Sequence, residues 1–487
     1  MRITLINPPY FERCVREFRC QGIAKITRLL PPEILPPLSL AYIAAVLRDH
    51  GYNVEIVDSI ALNLTLNDLI KKLSKADLFV FVVSTPTFMT DLNTIEEVKK
   101  CFPDIKNCLF GTHVSTFPEE TLKKDFVDFA VVGEGEITIL ELANALEKGQ
   151  SLSKVKGLAY KKDGIKINSK RPLIEDLDSL PFPARDLLPM ERYKPFFYKK
   201  LPFTTMLTSR GCPFSCIYCS SRVIFNRKWR SRSPENVVEE IEEVVDKFGI
   251  KEIFFNDDLF TLDKKRVQKI CDLILENDLD IVWGCESRAD TVDHKTLKLM
   301  KESGCYKIFY GIESGSQHIL DKTKKDIKID QIEETFKKTK EVGIQCNGSF
   351  IIGVPWETKE TVKQTIEFAK KLDPDYVNFS IATPYPGTEF YEMVKEKGYL
   401  PTEDWNLFDE HLGAAIRSDG LTPKEIEDSV RMAYRHFYLR PSYIVRKLLK
   451  IKTFHELRYY LGAAVYLIWY VSFQHRKDQT HLSKLQS

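Results

Sequence analysis

The chain has 487 residues, 43% hydrophobic and 29% charged, a balance that excludes a disordered polymer and gives length enough for two to four domains. Its 71 basic and 69 acidic residues leave a formal charge of +2, too small to supply a global field for a polyanion, so no nucleic-acid partner is expected. Eleven cysteines, an odd number, behind an N-terminus with no basic and apolar leader exclude a secreted disulfide framework and predict a cytoplasmic chain with reduced thiols.

Short apolar runs alternate with amphipathic segments over the first 150 residues. The pattern predicts strands at 3–6, 54–57, 78–83, 107–110 and 129–132, and helices over 38–50 and near 92–100. It reads as an α/β domain with a doubly wound, Rossmann-like parallel sheet over 1–150, any ligand lying at the carboxyl ends of the strands. Residues 151–200 lose this periodicity and read as a linker packed across a domain boundary. From 201 to 400 the alternation resumes, with helices predicted over 234–248, 264–276, 294–303, 329–342 and 358–371 between apolar runs. Six strand-helix units predict a partial (β/α)6 barrel of TIM type rather than a complete eightfold one.

Residues 401–487 form a C-terminal helical region, basic from about 423. Between 431 and 460 it carries Arg431, Arg435, Arg440, Arg446, Lys447, Lys450, Lys452 and Arg458 against the acid Glu456. The apolar stretch from about 461 to 473 is shorter than the ~20 residues that span a bilayer. The region is suited to capping the barrel mouth or to resting on a membrane surface.

The strongest chemical signal follows the first strand of the second domain. Ser209-Arg-Gly-Cys212-Pro-Phe-Ser-Cys216-Ile-Tyr-Cys219 places three thiols within eight residues, a spacing that lets one loop wrap a metal centre. Thiolates are the soft ligands that iron-sulfur clusters require, and an iron without a protein ligand can take an exogenous amino acid. Three incidental buried thiols, or a zinc site completed by a distant residue, are the alternatives. The pattern Cys-x3-Cys-x-aromatic-Cys, with Tyr218 at the aromatic position, resembles the radical SAM superfamily. That resemblance implies a 4Fe-4S cluster on Cys212, Cys216 and Cys219. It also implies reductive cleavage of S-adenosylmethionine to methionine and a 5'-deoxyadenosyl radical, with electrons from a donor such as ferredoxin or flavodoxin.

Later segments carry polar groups where barrel strands end. The resemblance implies S-adenosylmethionine contacts from Tyr218, from Asp257 and Asp258 after the second strand, and from Arg288 after the third. It adds Glu313 and Ser314 after the fourth and Gly353 after the fifth. Cysteines 14, 20, 101, 108, 271, 285, 305 and 346 are scattered, which reads as small core residues, with a substrate-facing thiol conceivable at Cys285 or Cys305. No cysteine follows 346, which excludes a C-terminal auxiliary cluster, and tRNA methylthiotransferases need three N-terminal cysteines where this chain offers only Cys14 and Cys20.

The first domain is similar to the cobalamin-binding class of that superfamily. Ser84 lies 27 positions before Gly111, near the spacing of the two loops that line the cobalamin nucleotide tail, and the segments that carry Gly111, Thr112, Gly133 and Glu134 look like that class. Glycines there let backbone approach a bulky ligand. Pro86 and Thr112 depart from the pattern, and Asn7-Pro-Pro-Tyr offers no histidine as a lower cobalt ligand. His113 reads as a hydrogen-bonded loop residue rather than a ligand. Together the resemblances imply methyl transfer to an unactivated carbon of a small-molecule or lipid substrate, with rearrangement or cyclisation as the alternative chemistry. A non-catalytic corrinoid- or redox-responsive protein is the alternative from another class.

Overall fold

The computed structural model describes residues 1–10, 33–195, 198–400, 404–408, 414 and 416–450, with Gly462 and Val465. Cys14, Cys20 and the apolar segment 466–473 lie outside the described residues.

In the first sheet β1 (Arg2–Asn7) leads to α1 (Leu38–Asp49), and β2 (Asn53–Asp58) to α2 (Ser59–Leu62) and α3 (Leu66–Lys72). Strand β3 (Leu78–Val82) leads to α4 (Phe88–Cys101), β4 (Lys106–Phe110) to α5 (Thr112–Thr116) and α6 (Pro118–Leu122), and β5 (Phe129–Val131) to α7 (Glu136–Glu147). These five strands are parallel in the order β2-β1-β3-β4-β5. Successive side chains of a strand face opposite ways. Leu78, Val80 and Val82 therefore join the core beneath α1 and α7, while Phe79 and Phe81 join the core beneath α3 and α4. The predicted doubly wound sheet is present, with helices on both faces.

The sheet does not stop at residue 150. Strands β6 (Leu158–Lys161) and β7 (Ile165–Ile167) add antiparallel beyond β5. They are too short to carry a period of their own, so the sequence read them as linker. The rest of that stretch ties the two sheets together. Ala184 N donates to Ala41 O at 3.0 Å, Tyr193 OH donates to Asp58 at the end of β2 at 2.9 Å, and buried Arg185 pairs with Glu240 at 2.5 Å.

The second sheet begins at β8 (Phe203–Met206). Short β9 (Ser209–Arg210) and β10 (Arg230–Ser231) pair with each other and bracket α8 (Ser221–Phe225). There follow α9 (Pro234–Phe248), β11 (Glu252–Phe255), α10 (Lys264–Glu276), β12 (Val282–Ser287), α11 (His294–Glu302) and β13 (Cys305–Glu313). Helices α12 (Gln317–Lys322) and α13 (Ile329–Glu341) lead to β14 (Gln345–Ile352), α14 (Lys359–Leu372), β15 (Tyr376–Ile381) and α15 (Glu389–Glu396). Six parallel strands stand in the order β15-β14-β13-β12-β11-β8, so the sheet is open and its strands all deliver their carboxyl ends to one rim. Helix α9 shows why the helix bounds were legible: Ser233 caps its first turn, Pro234 occupies the first position and Gly249 ends it in the left-handed region at φ 63°.

The C-terminal helices α16 (Pro423–Tyr438) and α17 (Pro441–Lys450) pack along the open edge at β15, while the tail segment 451–461 lies outside the described residues. An edge strand exposes unpaired backbone groups. Tyr438 OH accepts from Val377 N at 2.9 Å and donates to Val377 O at 2.7 Å, and Tyr434 OH accepts from Phe379 N at 3.1 Å. Three of the basic residues counted in the tail also turn inward, Arg440 and Arg446 to Asp373 and Lys447 to Asp375. Among the described residues no helix is long and apolar enough to cross a membrane. Tyr438→Phe leaves both Val377 groups unpaired and is expected to lower the unfolding free energy by about 1 to 2 kcal/mol in urea titrations.

Candidate functional site

The cysteine loop is held at its entrance by backbone geometry and by two acids. Gly211 has φ +85°, and a Cβ there would lie 2.2 Å from Lys228 O, so no side chain fits the turn into Cys212. Asp257, fully buried at the end of β11, accepts from Thr208 N and Thr208 OH, each at 2.6 Å, and from Ser209 OH at 2.7 Å. It faces the core and braces the loop. Asp258 accepts from Gly211 N at 2.9 Å and is half-buried beside the thiols. Deeper in the loop, Ile217 N donates to Thr323 O at 3.1 Å and Cys219 N to Cys216 O at 3.3 Å.

Cys212, Cys216 and Cys219 are each part-exposed, whereas Cys108, Cys271, Cys285, Cys305 and Cys346 are buried. Cys285 and Cys305 thus join the core and face no open site. Burial pushes the Cys212 thiol up to about 11, with Asp258 adding to the shift, and drives Cys219 higher still for the same reasons. Among the described residues no three His, Cys, Asp or Glu side chains close tightly enough for a single metal ion. The donor set is three thiols on one loop, the ligand chemistry of an iron-sulfur cluster, so the residues fit that group. Tyr218 has its hydroxyl buried next to Cys216, which raises its pKa well above the ordinary value.

Around Cys216 the third and fourth strand ends converge. Arg288 stacks on Phe214 with its guanidinium carbon 3.6 Å from the ring centroid, and its Nη1 lies 3.9 Å from Cys216 Sγ. Its other donors are engaged by Asp290 at 2.8 and 3.0 Å and by Lys325 O at 2.7 Å. Glu313 closes β13 in the left-handed region at φ 72° and accepts from the buried ammonium of Lys325 at 2.8 Å. Ser314 turns away from this group, its hydroxyl 3.1 Å from Thr365 Oγ1 on α14. Gly353 ends β14 at φ +108°, and a Cβ there would press on Ile426 at 2.7 Å. Its N–H, like that of Val354, is accepted by Glu357, whose burial raises its carboxyl to about 7.

The first sheet brings Ser84, Gly111, Thr112, Gly133 and Glu134 to its carboxyl edge, but they differ in what they can meet. The Ser84 hydroxyl pairs with Thr87 at 2.8 Å, and a Cβ on Gly111 would stand 2.0 Å from Val83 O. Thr112 is buried at the start of α5, and Gly133, φ +91°, has open space where a Cβ would be. That clearance fits the close approach of a bulky corrinoid. Glu134 is not available to such a ligand. It is buried, and it accepts from Arg210 at 2.9 Å, from Arg230 at 3.0 and 3.1 Å and from Ile174 N at 2.9 Å. Glu136 takes the other Arg210 nitrogen at 2.7 Å. His113 is fully buried between Phe88, at 3.8 Å, and Trp405, at 5.0 Å, and burial lowers its pKa to about 3, which makes it a neutral core residue.

A parallel-sheet domain with an open glycine-lined edge, joined to an open six-stranded barrel bearing a three-cysteine loop, defines an iron-sulfur and corrinoid enzyme architecture. Residues 206–369 match the model of the radical SAM superfamily, and residues 25–143 match that of the B12 binding domain. The chain is 41% identical over 455 residues to an uncharacterized methyltransferase of Pyrococcus horikoshii, covering 92% of this chain and 95% of the relative. It is 29% identical over 442 residues to the anaerobic magnesium-protoporphyrin IX monomethyl ester cyclase of Rubrivivax gelatinosus, covering 88% and 77%. Its fold superposes on the cobalamin-dependent S-adenosylmethionine radical enzyme OxsB with a TM-score of 0.73 at 18% identity, covering 96% of this chain and 71% of that one. The chain belongs to the cobalamin-binding class of the radical SAM superfamily and is an enzyme. Its cofactors are a 4Fe-4S cluster, S-adenosylmethionine and cobalamin.

Sequence reasoning missed Lys325, Phe214 and the Arg210 to Glu134 contact. Asp321-Lys-Thr-Lys-Lys-Asp326 reads as a solvated turn, and only tertiary packing buries Lys325 within it. Arg210→Met strands the buried Glu136 carboxylate and leaves Glu134 to Arg230 alone among cations, and is expected to destabilise the fold by about 3 to 5 kcal/mol, visible as a lowered thermal midpoint. The pH dependence of Glu357 is also checkable. Its folded pKa lies above the unfolded one, so the stability it contributes is full below about 4.5 and is lost as pH rises through about 7. Glu357→Gln should therefore gain on wild type across that window in denaturant titrations, and parallel curves would refute the assignment.

Proposed function

We propose that Cys212, Cys216 and Cys219 ligate the cluster and that cobalamin sits on the edge formed by Ser84, Gly111, Thr112 and Gly133. The reaction proposed is methyl transfer to an unactivated carbon of an apolar, lipid-like substrate. One observation carries this reading: the two cofactor edges meet. Helix α5, which follows Gly111, packs against α8, which follows Cys219, and a Cβ on Gly387 of the barrel rim would lie 3.2 Å from Thr116 Oγ1 of α5. When bound, the cluster supplies the electron that cleaves S-adenosylmethionine, and cobalamin supplies a methyl carrier.

The chain's own groups orient the ligands. Asp258, half-buried at the loop, is placed to accept from an ammonium group. Tyr218 and Phe214 wall the cluster, and Gly353 carries the backbone turn after β14 close to Ile426. Asp257, Ser314 and Glu134 act one step back, as braces of loop, helix and domain contact. Reducing equivalents come from a donor such as ferredoxin or flavodoxin. Ring formation is the second reading, favoured by the named activity of the cyclase relative.

The lipid reading is supported by α17. Ile444, Val445, Leu448 and Leu449 form one stripe and are 41%, 54%, 56% and 81% exposed, while Tyr443 and Lys447 on the other side are buried against β15. An apolar stripe on a basic segment is the composition of an interfacial helix, and we assign it peripheral contact with an anionic bilayer.

Anaerobic reconstitution with iron, sulfide and hydroxocobalamin, followed by reduction with methyl-labelled S-adenosylmethionine and a total lipid extract, is expected to give 5'-deoxyadenosine and label in the lipid. No 5'-deoxyadenosine would overturn the enzyme site, and its formation without labelled lipid would overturn the methyl-transfer reading. The full chain should float with anionic liposomes and the Leu448→Ser, Leu449→Ser variant should not; equal flotation rules out the α17 contact.

A further inference from the structure

Fixed charges of opposite sign stand on different sides of the cysteine loop. Beside Cys216 is Arg288, its Nη1 3.9 Å from the sulfur and its orientation set by Phe214, Asp290 and Lys325 O. Behind it lies Lys325, 5% exposed, whose ammonium is held 2.8 Å from Glu313 and whose field reaches Cys216. On the other side Asp258 accepts from Gly211 N at 2.9 Å, immediately before Cys212, and its charge acts on Cys212 and Cys219.

Lys325 is carried by a turn of unusual backbone conformation. Lys324, Asp326 and Glu313 all lie in the left-handed region, at φ 54°, 51° and 72°, although none is glycine. Such conformations are disfavoured for residues that carry a Cβ and persist where surrounding structure dictates them. Lys324 and Asp326 point outward and Lys325 inward, so the turn buries one ammonium next to the loop.

We propose that this polarised charge set fixes the reduction potential of the cluster: Arg288 and Lys325 favour the reduced state, and Asp258 opposes it. The inference rests on the three cysteines being the ligands. Reduction adds one electron from an external low-potential donor and no proton, so the cluster gains one negative charge. In a poorly screened site neighbouring cations stabilise that charge and anions disfavour it. Glu313 and Asp290 offset part of the cationic field.

The full chain, reconstituted with iron and sulfide and analysed for both, is titrated with dithionite without S-adenosylmethionine while the reduced cluster is followed by electron paramagnetic resonance. Lys325→Met is expected to move the midpoint to more negative potential, Asp258→Asn and Glu313→Gln to move it the other way, and Lys325→Arg to keep it near wild type. Unchanged midpoints, or shifts of one sign in all variants as a merely loosened loop would give, overturn the proposal. If Lys325→Met takes up no cluster, Asp258→Asn and Glu313→Gln decide, and an unshifted midpoint in both overturns it. Wild type failing to take up iron and sulfide would instead overturn the cysteine assignment.

Discussion

The buried ion cluster of Glu134, Glu136, Arg210 and Arg230 is the contact on which the arrangement of this enzyme depends. Two carboxylates from the loop after β5 and the start of α7 meet two guanidiniums from β9 and β10. All four side chains are at most 4% exposed, and opposite charges are balanced within the cluster. Buried charges are tolerated only in pairs with good geometry, so the contact fixes the relative placement of the two sheets rather than merely adding stability. Arg210 is also two residues from Cys212. The first domain therefore positions the cysteine loop directly, through one side chain.

From that anchor the site is assembled by strand ends. Open parallel sheets present their carboxyl-end loops on one rim, and here two such rims face each other. An open sheet needs its edge sealed, and the tyrosines of α16 satisfy the β15 backbone where a further strand would otherwise pair. The cysteine loop and the sealed edge thus lie at different margins of one sheet. Left-handed non-glycine residues stand at the rim, at Glu313, Lys324 and Asp326, and also at helix ends away from it, as at Asp373 after α14.

Much of the site chemistry was legible because it depends on residue type and short spacing. Three thiols within eight residues must share one loop, and caps such as Ser233-Pro234 with Gly249 fix helix ends locally. Which of two adjacent carboxylates is buried was not legible. Asp257 and Asp258 are chemically identical neighbours, and only the direction of the chain after β11 sends one into the core and the other to the loop. Glu134 looked like a ligand contact for the same reason, since its sequence context is a glycine loop. Its partners lie 76 and 96 residues away.

By itself, then, the sequence determined the fold class, the gathering of three thiols on one loop and the class of enzyme, because periodicity, capping and cysteine spacing are local and each has few structural solutions. The tertiary structure decided the rest. It extended the first sheet with β6 and β7, whose strands are too short to show a period. It laid the tail along β15, buried Lys325 beside Cys216 and committed Glu134 to two arginines. Each of these turns on which distant group removes a polar or charged atom from water, and that choice is made by packing between elements, not by any residue's neighbours in the chain.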